Sequence, residues 1–93
     1  MRVREEIERR LRAALHPERL EIVDESARHA GHAGARPEGE THFKIVVVSP
    51  AFSGLGRLER QRRVHALLAD LLRARIHALQ IVARAPGEPA PGP

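Results

Sequence analysis

The side chains of this chain that are best suited to bind a metal ion are histidines. The sequence has 93 residues, of which six are histidine and none is cysteine. Neutral imidazole is the commonest metal-ligand side chain. His29 and His32 follow a His-x-x-His spacing in a Gly- and Ala-rich stretch, so this stretch could close on a metal, although the pattern alone is weak. The lack of cysteine excludes a disulfide and a zinc site built on thiolates.

The periodicity of the apolar residues predicts the elements that must position these histidines. Val3, Ile7, Leu11 and Leu15 recur every four residues, as in an amphipathic helix, whereas residues 42–49 are β-branched and alternate as in a strand. In chain order we predict a helix over 2–16, a strand over 20–24, a loop over 25–40, a strand over 42–49, a turn over 51–57, a helix over 58–74 and a strand over 76–82. From Arg84 onward the chain is rich in proline and should neither pack nor pair. We therefore expect one domain over 1–85 and a disordered tail over 86–93.

The order of these elements predicts an α/β fold, in which helices cover one face of a three-stranded mixed sheet. The first two strands should pair antiparallel, and the helical crossover should make the third strand parallel to the second. His42 and His77 then begin two neighbouring strands, and the loop with His29 and His32 leads to the same edge. Each histidine also has a local explanation, as a solvated loop residue or a hydrogen-bonded residue of a strand end, and for His42 we favour a local hydrogen bond.

Composition limits the function. The net charge is +4 and the isoelectric point is near 11.2, which permits binding to nucleic acid but does not require it. We find no phosphate-binding loop and no arrangement of nucleophile and base, so we do not expect an enzyme. The longest apolar run, residues 45–48, is far too short to span a membrane, and we expect a cytoplasmic protein with no membrane partner.

The predicted elements offer two candidate binding surfaces. The arginines of the second helix (Arg60, Arg62 and Arg63) could contact DNA phosphates, although we favour a solvated helix face as their explanation. The sheet face that no helix covers (Val46, Val48, Ala78 and Val82) could bind another protein.

Several short motifs occur together in an order that resembles the BolA family. They are Asp24-Glu25-Ser26, Thr41-His42-Phe43-Lys44, Val48-Ser49 with Phe52-x-Gly54, Arg60-x-Arg62-x-Val64 and His77-Ala78-Leu79. The resemblance covers roughly residues 5–85 and implies a fold similar to class II KH domains. Two features depart from the usual patterns: Gln61 stands where the family often has histidine, and the Gly-x-x-Gly loop of true KH domains is missing.

The resemblance also implies a partner and a cofactor. Proteins of this family bind monothiol glutaredoxins and share a [2Fe-2S] cluster that is also held by the cysteines of glutaredoxin and glutathione. One ligand from the family is the histidine of the His-Ala-Leu motif, which falls on His77. The second falls on His29 by its distance from Asp24-Glu25-Ser26, and His32 is a rival. A DNA-binding regulator is the alternative function, and the sequence leaves a homodimer open.

Overall fold

A three-stranded sheet carries one layer of helices in a computed structural model that describes residues 2–26 and 40–89. The elements are α1 (Val3–Leu15), β1 (Arg19–Asp24), β2 (His42–Val48), a 3₁₀ turn (Pro50–Phe52), α2 (Arg57–Leu67), α3 (Ala69–Ala74) and β3 (Ala78–Arg84).

The sheet has the predicted topology. Its strand order is β1-β2-β3. β1 pairs antiparallel with β2, and β2 pairs parallel with β3, with Ile22 and Ile81 on either side of Ile45. The α/β fold with a mixed three-stranded sheet is therefore confirmed.

Strand alternation decides which face of the sheet is covered. Phe43, Ile45 and Val47 of β2 are buried under the helices, whereas their neighbours Lys44 and Val46 are only partly covered. The apolar stripe of α1 is almost fully buried against this face. The core is thus a single layer between sheet and helices, as the sequence predicted.

The second predicted helix is interrupted at Leu68, which separates α2 from α3. Leu68 leaves helical geometry with φ −113° and ψ 13°, and its side chain is fully buried. The carbonyl of Leu67 accepts a hydrogen bond from Arg10 of α1 at 3.1 Å. This bond stabilises a carbonyl at the interruption. Leu58, the first residue of the predicted second helix, is 61% exposed.

The end of β3 is better ordered than the proline content suggested. Arg84 is the last residue of β3, and Ala85 is buried. Gly87 has a φ of +83°, which suits glycine, and the amide of Glu88 closes the turn on the carbonyl of Ala85. The expectation that the chain neither packs nor pairs from Arg84 onward is therefore wrong up to Glu88. Residues 90–93 of the predicted tail lie outside the described residues.

Within the described residues, no helix is long and apolar enough to cross a membrane.

Candidate metal centre

The edge of the sheet where β2 and β3 begin brings two histidines together. His42 is the first residue of β2 and is paired with Ala78, the first residue of β3. The rings of His42 and His77 are 5.2 Å apart between centroids and are tilted by 47°. The prediction that these two histidines share an edge is confirmed.

His77 is an exposed side chain on a fixed backbone. Its amide donates to the carbonyl of Thr41 at 2.7 Å, and the amide of Ala78 donates to the same oxygen at 3.2 Å. The sequence predicted His77 within a strand over 76–82, and this is wrong because β3 begins two residues later than predicted, at Ala78. The imidazole is therefore open to a partner molecule while its attachment to the sheet is rigid.

A buried polar cluster of Ser26, Thr41 and His42 lies behind His77. All three residues are at most 5% exposed. The hydroxyl of Ser26 accepts from the amides of Thr41 and His42, at 2.9 and 3.2 Å, and lies 3.3 Å from the Thr41 hydroxyl. Nδ1 of His42 shares a hydrogen bond of 2.8 Å with that Thr41 hydroxyl. The favoured local hydrogen bond of His42 is thus confirmed.

Asp24 connects the two ends of the predicted loop. One carboxylate oxygen accepts from the amide of Ser26 at 2.9 Å, and the other accepts from the amide of Glu40 at 3.1 Å. Burial alone would raise the pKa of Asp24, but the hydrogen bonds from Ser26 and Glu40 outweigh burial and lower it. An ionised Asp24 therefore connects Ser26 to Glu40, the described residues on either side of 27–39.

The described residues offer too few ligands for a complete metal site of their own. Among residues 2–26 and 40–89, no group of three or more His, Asp or Glu side chains is placed to hold a metal ion. A tetrahedral site takes about four ligands. One exposed imidazole fits a site whose other ligands come from elsewhere. His29 and His32 lie outside the described residues.

The three arginines proposed for DNA binding have different environments. The side chain of Arg60 is largely buried and donates to the carbonyls of Leu55 and Ala83. It also forms a bidentate ion pair with Glu88, at 2.6 and 2.9 Å. Arg62 and Arg63 are exposed on α2, and their side chains make no hydrogen bond or ion pair with other described residues. Arg60 thus has internal acceptors, and the other two can reach an outside phosphate.

Comparison of the sequence with models of known protein families assigns the chain to a family. A family model for BolA-like proteins matches residues 11–88. The chain belongs to the BolA family.

Individual proteins and solved structures are also similar to this chain. The chain is 47% identical over 81 residues to the DNA-binding transcriptional regulator BolA of Escherichia coli, which covers 87% of this chain and 73% of that protein. It is 45% identical over 92 residues to SufE-like protein 1 of Arabidopsis thaliana, which covers 95% of this chain but only 24% of that protein. Among solved structures, BolA1 of Arabidopsis thaliana superposes with a TM-score of 0.85 at 37% identity, over 96% of this chain and 97% of that one.

Membership confirms the family resemblance and the fold that came with it. Ser26 and Thr41, which support the histidine edge, were not predicted to do so from the sequence. The one sequence feature that could have indicated them is their position. Both are hydroxyl residues next to strand ends, and the predicted topology places these strand ends at the histidine edge.

Proposed function

We propose that this BolA-family protein binds a monothiol glutaredoxin and supplies histidine ligands to a [2Fe-2S] cluster that the two proteins share. His77 is the first ligand, and His29 or His32 is the second. The cysteines of glutaredoxin and glutathione hold the remaining positions. The protein would then act in iron–sulfur cluster trafficking or in iron and redox regulation.

The observation that carries this proposal is the environment of His77. Its imidazole is exposed, its backbone is fixed by Thr41, and the buried ring of His42 lies beside it. A ligand held on a rigid element loses little conformational freedom when it binds. The absence of cysteine fits a division in which the partner brings all thiolates.

The test is reconstitution of the complex from the purified protein, a monothiol glutaredoxin, glutathione, iron and sulfide. Visible absorption and circular dichroism then report the ligand environment of the cluster. We expect His77→Ala to change these spectra and to shorten the lifetime of the cluster. His65→Ala is the matched control, because His65 is an exposed histidine of α2 that is not one of the proposed ligands.

Two outcomes would contradict parts of this proposal. If the His77→Ala complex keeps the wild-type spectra and cluster lifetime, His77 is not a ligand. If the wild-type protein forms neither the complex nor the cluster, the proposed function is wrong. The variants His29→Ala and His32→Ala identify the second ligand, since only the true ligand should reproduce the effect of His77→Ala.

A second candidate function is DNA binding through α2. It is favoured by Arg62 and Arg63, whose exposed side chains have no ion-pair partner among the described residues, and a relative at 47% identity is named as a DNA-binding regulator. The Arg62→Ala and Arg63→Ala variants should weaken binding to duplex DNA for all sequences and flatten its dependence on salt. No binding at an ionic strength of about 50 mM would exclude this function.

A further inference from the structure

A groove runs along the outer edge of β3, and no histidine lines it. It has a volume of about 550 Å³ and is lined by residues of α2, the outer edge of β3 and the turn that follows. This volume lies within the usual range for small-ligand sites. Three arginines line it (Arg57, Arg60 and Arg84), against one acidic residue, Glu88.

The backbone edge in this groove presents donors without matching acceptors. Ala78 and Arg84 use their backbone groups to bond toward β2, so Ile81 and Ala83 turn theirs outward. The carbonyl of Ile81 already accepts from the Gln61 side chain at 3.0 Å, and that of Ala83 accepts from Arg60 at 3.3 Å. Among the described residues, nothing accepts from the amides of Ile81 and Ala83.

The satisfied carbonyls decide what kind of ligand can enter. A peptide that added as a further strand would need those two carbonyls as acceptors for its own amides. Gln61 and Arg60 occupy them, so strand addition is disfavoured. A ligand that offers only acceptor oxygens matches the remaining donors.

Arginine side chains extend the set of donors in the groove. Nε of Arg84 is buried and has no hydrogen-bond partner among the described residues. The groove already binds one carboxylate, that of Glu88. Arg60 donates two hydrogen bonds to it, and the amide of Ala85 donates a third at 2.9 Å. Arg57 is exposed at the start of α2, at the mouth of the groove.

We propose that this groove is a binding site for a small anion that carries several phosphate or carboxylate oxygens. Arg57, Arg84 and the amides of Ile81 and Ala83 are its donors. Arg60 shapes the site through its contacts with Ala83 and Glu88. His77 does not line this site, and the proposal does not depend on a cluster.

The experiment is a titration of the ¹⁵N-labelled protein at constant ionic strength, with inorganic pyrophosphate in one series and citrate in another. We expect saturable shifts at the amides of Ile81 and Ala83 and at Nε of Arg84. Arg57→Gln and Arg84→Gln should each weaken the affinity about fivefold or more, since each removes a charged donor. Arg62→Gln is the control, because Arg62 is exposed on α2 but does not line the groove.

The result with each anion has a defined meaning. Saturation by pyrophosphate alone assigns a phosphorylated ligand, saturation by citrate alone assigns a polycarboxylate, and saturation by both supports the common chemistry. Shifts that never saturate, or an equal loss in Arg57→Gln and Arg62→Gln, would overturn the proposal. So would duplex DNA that shifts these amides when neither small anion does.

Discussion

At the scale of single residues, the Thr41 hydroxyl is the connection on which the histidine edge depends. It links Ser26 to His42, and the carbonyl of Thr41 holds His77. Thr41→Val keeps the shape of the side chain and removes the hydroxyl, so the buried Nδ1 of His42 loses that partner. We expect unfolding in urea to show a loss of about 1–3 kcal/mol.

Thr41→Ser is the matched control for this loss. Serine keeps the hydroxyl and gives up one methyl group, so its stability should lie closer to that of the wild-type protein. If Thr41→Val stays within about 0.5 kcal/mol of the wild type, which is the range of neutral surface substitutions, the buried cluster does not stabilise the fold.

Single residues also show how much of the site the sequence could predict. The approach of His42 and His77 follows from topology alone, because parallel neighbours begin at the same edge. The exposure of His77 could not be predicted, since it depends on β3 beginning two residues later than the apolar pattern suggests. The ion pair of Arg60 with Glu88 could not be predicted either, because it requires a turn within a segment whose composition predicted disorder.

At the scale of elements, an ion-pair network joins α1 to α3. Arg10 donates to Glu6 within α1 at 2.7 Å and reaches Asp70 at 2.5 and 3.0 Å, while Arg9 also bonds to Glu6. The hydrogen bonds from Arg9 and Arg10 lower the pKa of Glu6 from 4.5 to about 2. The hydrogen bond from Arg10 lowers the pKa of Asp70 from 3.8 to about 2.

These lowered pKa values predict how stability changes with pH. A carboxyl whose pKa is lower in the folded state stabilises the fold above its unfolded pKa. The contribution of Glu6 should therefore be complete above about pH 5 and should disappear as the pH falls toward 2. We expect Glu6→Gln to lower the urea midpoint at pH 7, and the difference from the wild type to narrow between pH 4.5 and about 2.

The control for this network lies on the same helix. Glu8 pairs with Arg12 at 2.9 Å, but both side chains are about half exposed, so Glu8→Gln should change stability little at any pH. A difference between the wild type and Glu6→Gln that is independent of pH would show that the glutamate acts through packing rather than charge.

At the scale of the whole molecule, the sequence predicted the fold well because its apolar periodicities are unambiguous. Ile22, Ile45 and Ile81 lie side by side across the three strands, as alternation requires. The interruption at Leu68 was not predictable, since the same apolar stripe continues through it. The adjacent carbonyl of Leu67 accepts a hydrogen bond from Arg10, which lies far away in the sequence and which no local pattern reveals.

The small core makes the two phenylalanines decisive for the stability of the whole domain. Phe52 is fully buried although it lies in a 3₁₀ turn rather than in a helix or strand. Truncation of a buried phenylalanine costs about 3–5 kcal/mol, a large share of the 5–15 kcal/mol that typically holds a domain. Phe52→Ala should therefore lower the melting temperature by about 12–40 °C in calorimetry. Leu58→Ala is the control, because Leu58 is mostly exposed and its truncation should leave the melting temperature nearly unchanged. Equal shifts in the two variants would mean that the turn after β2 does not anchor the core.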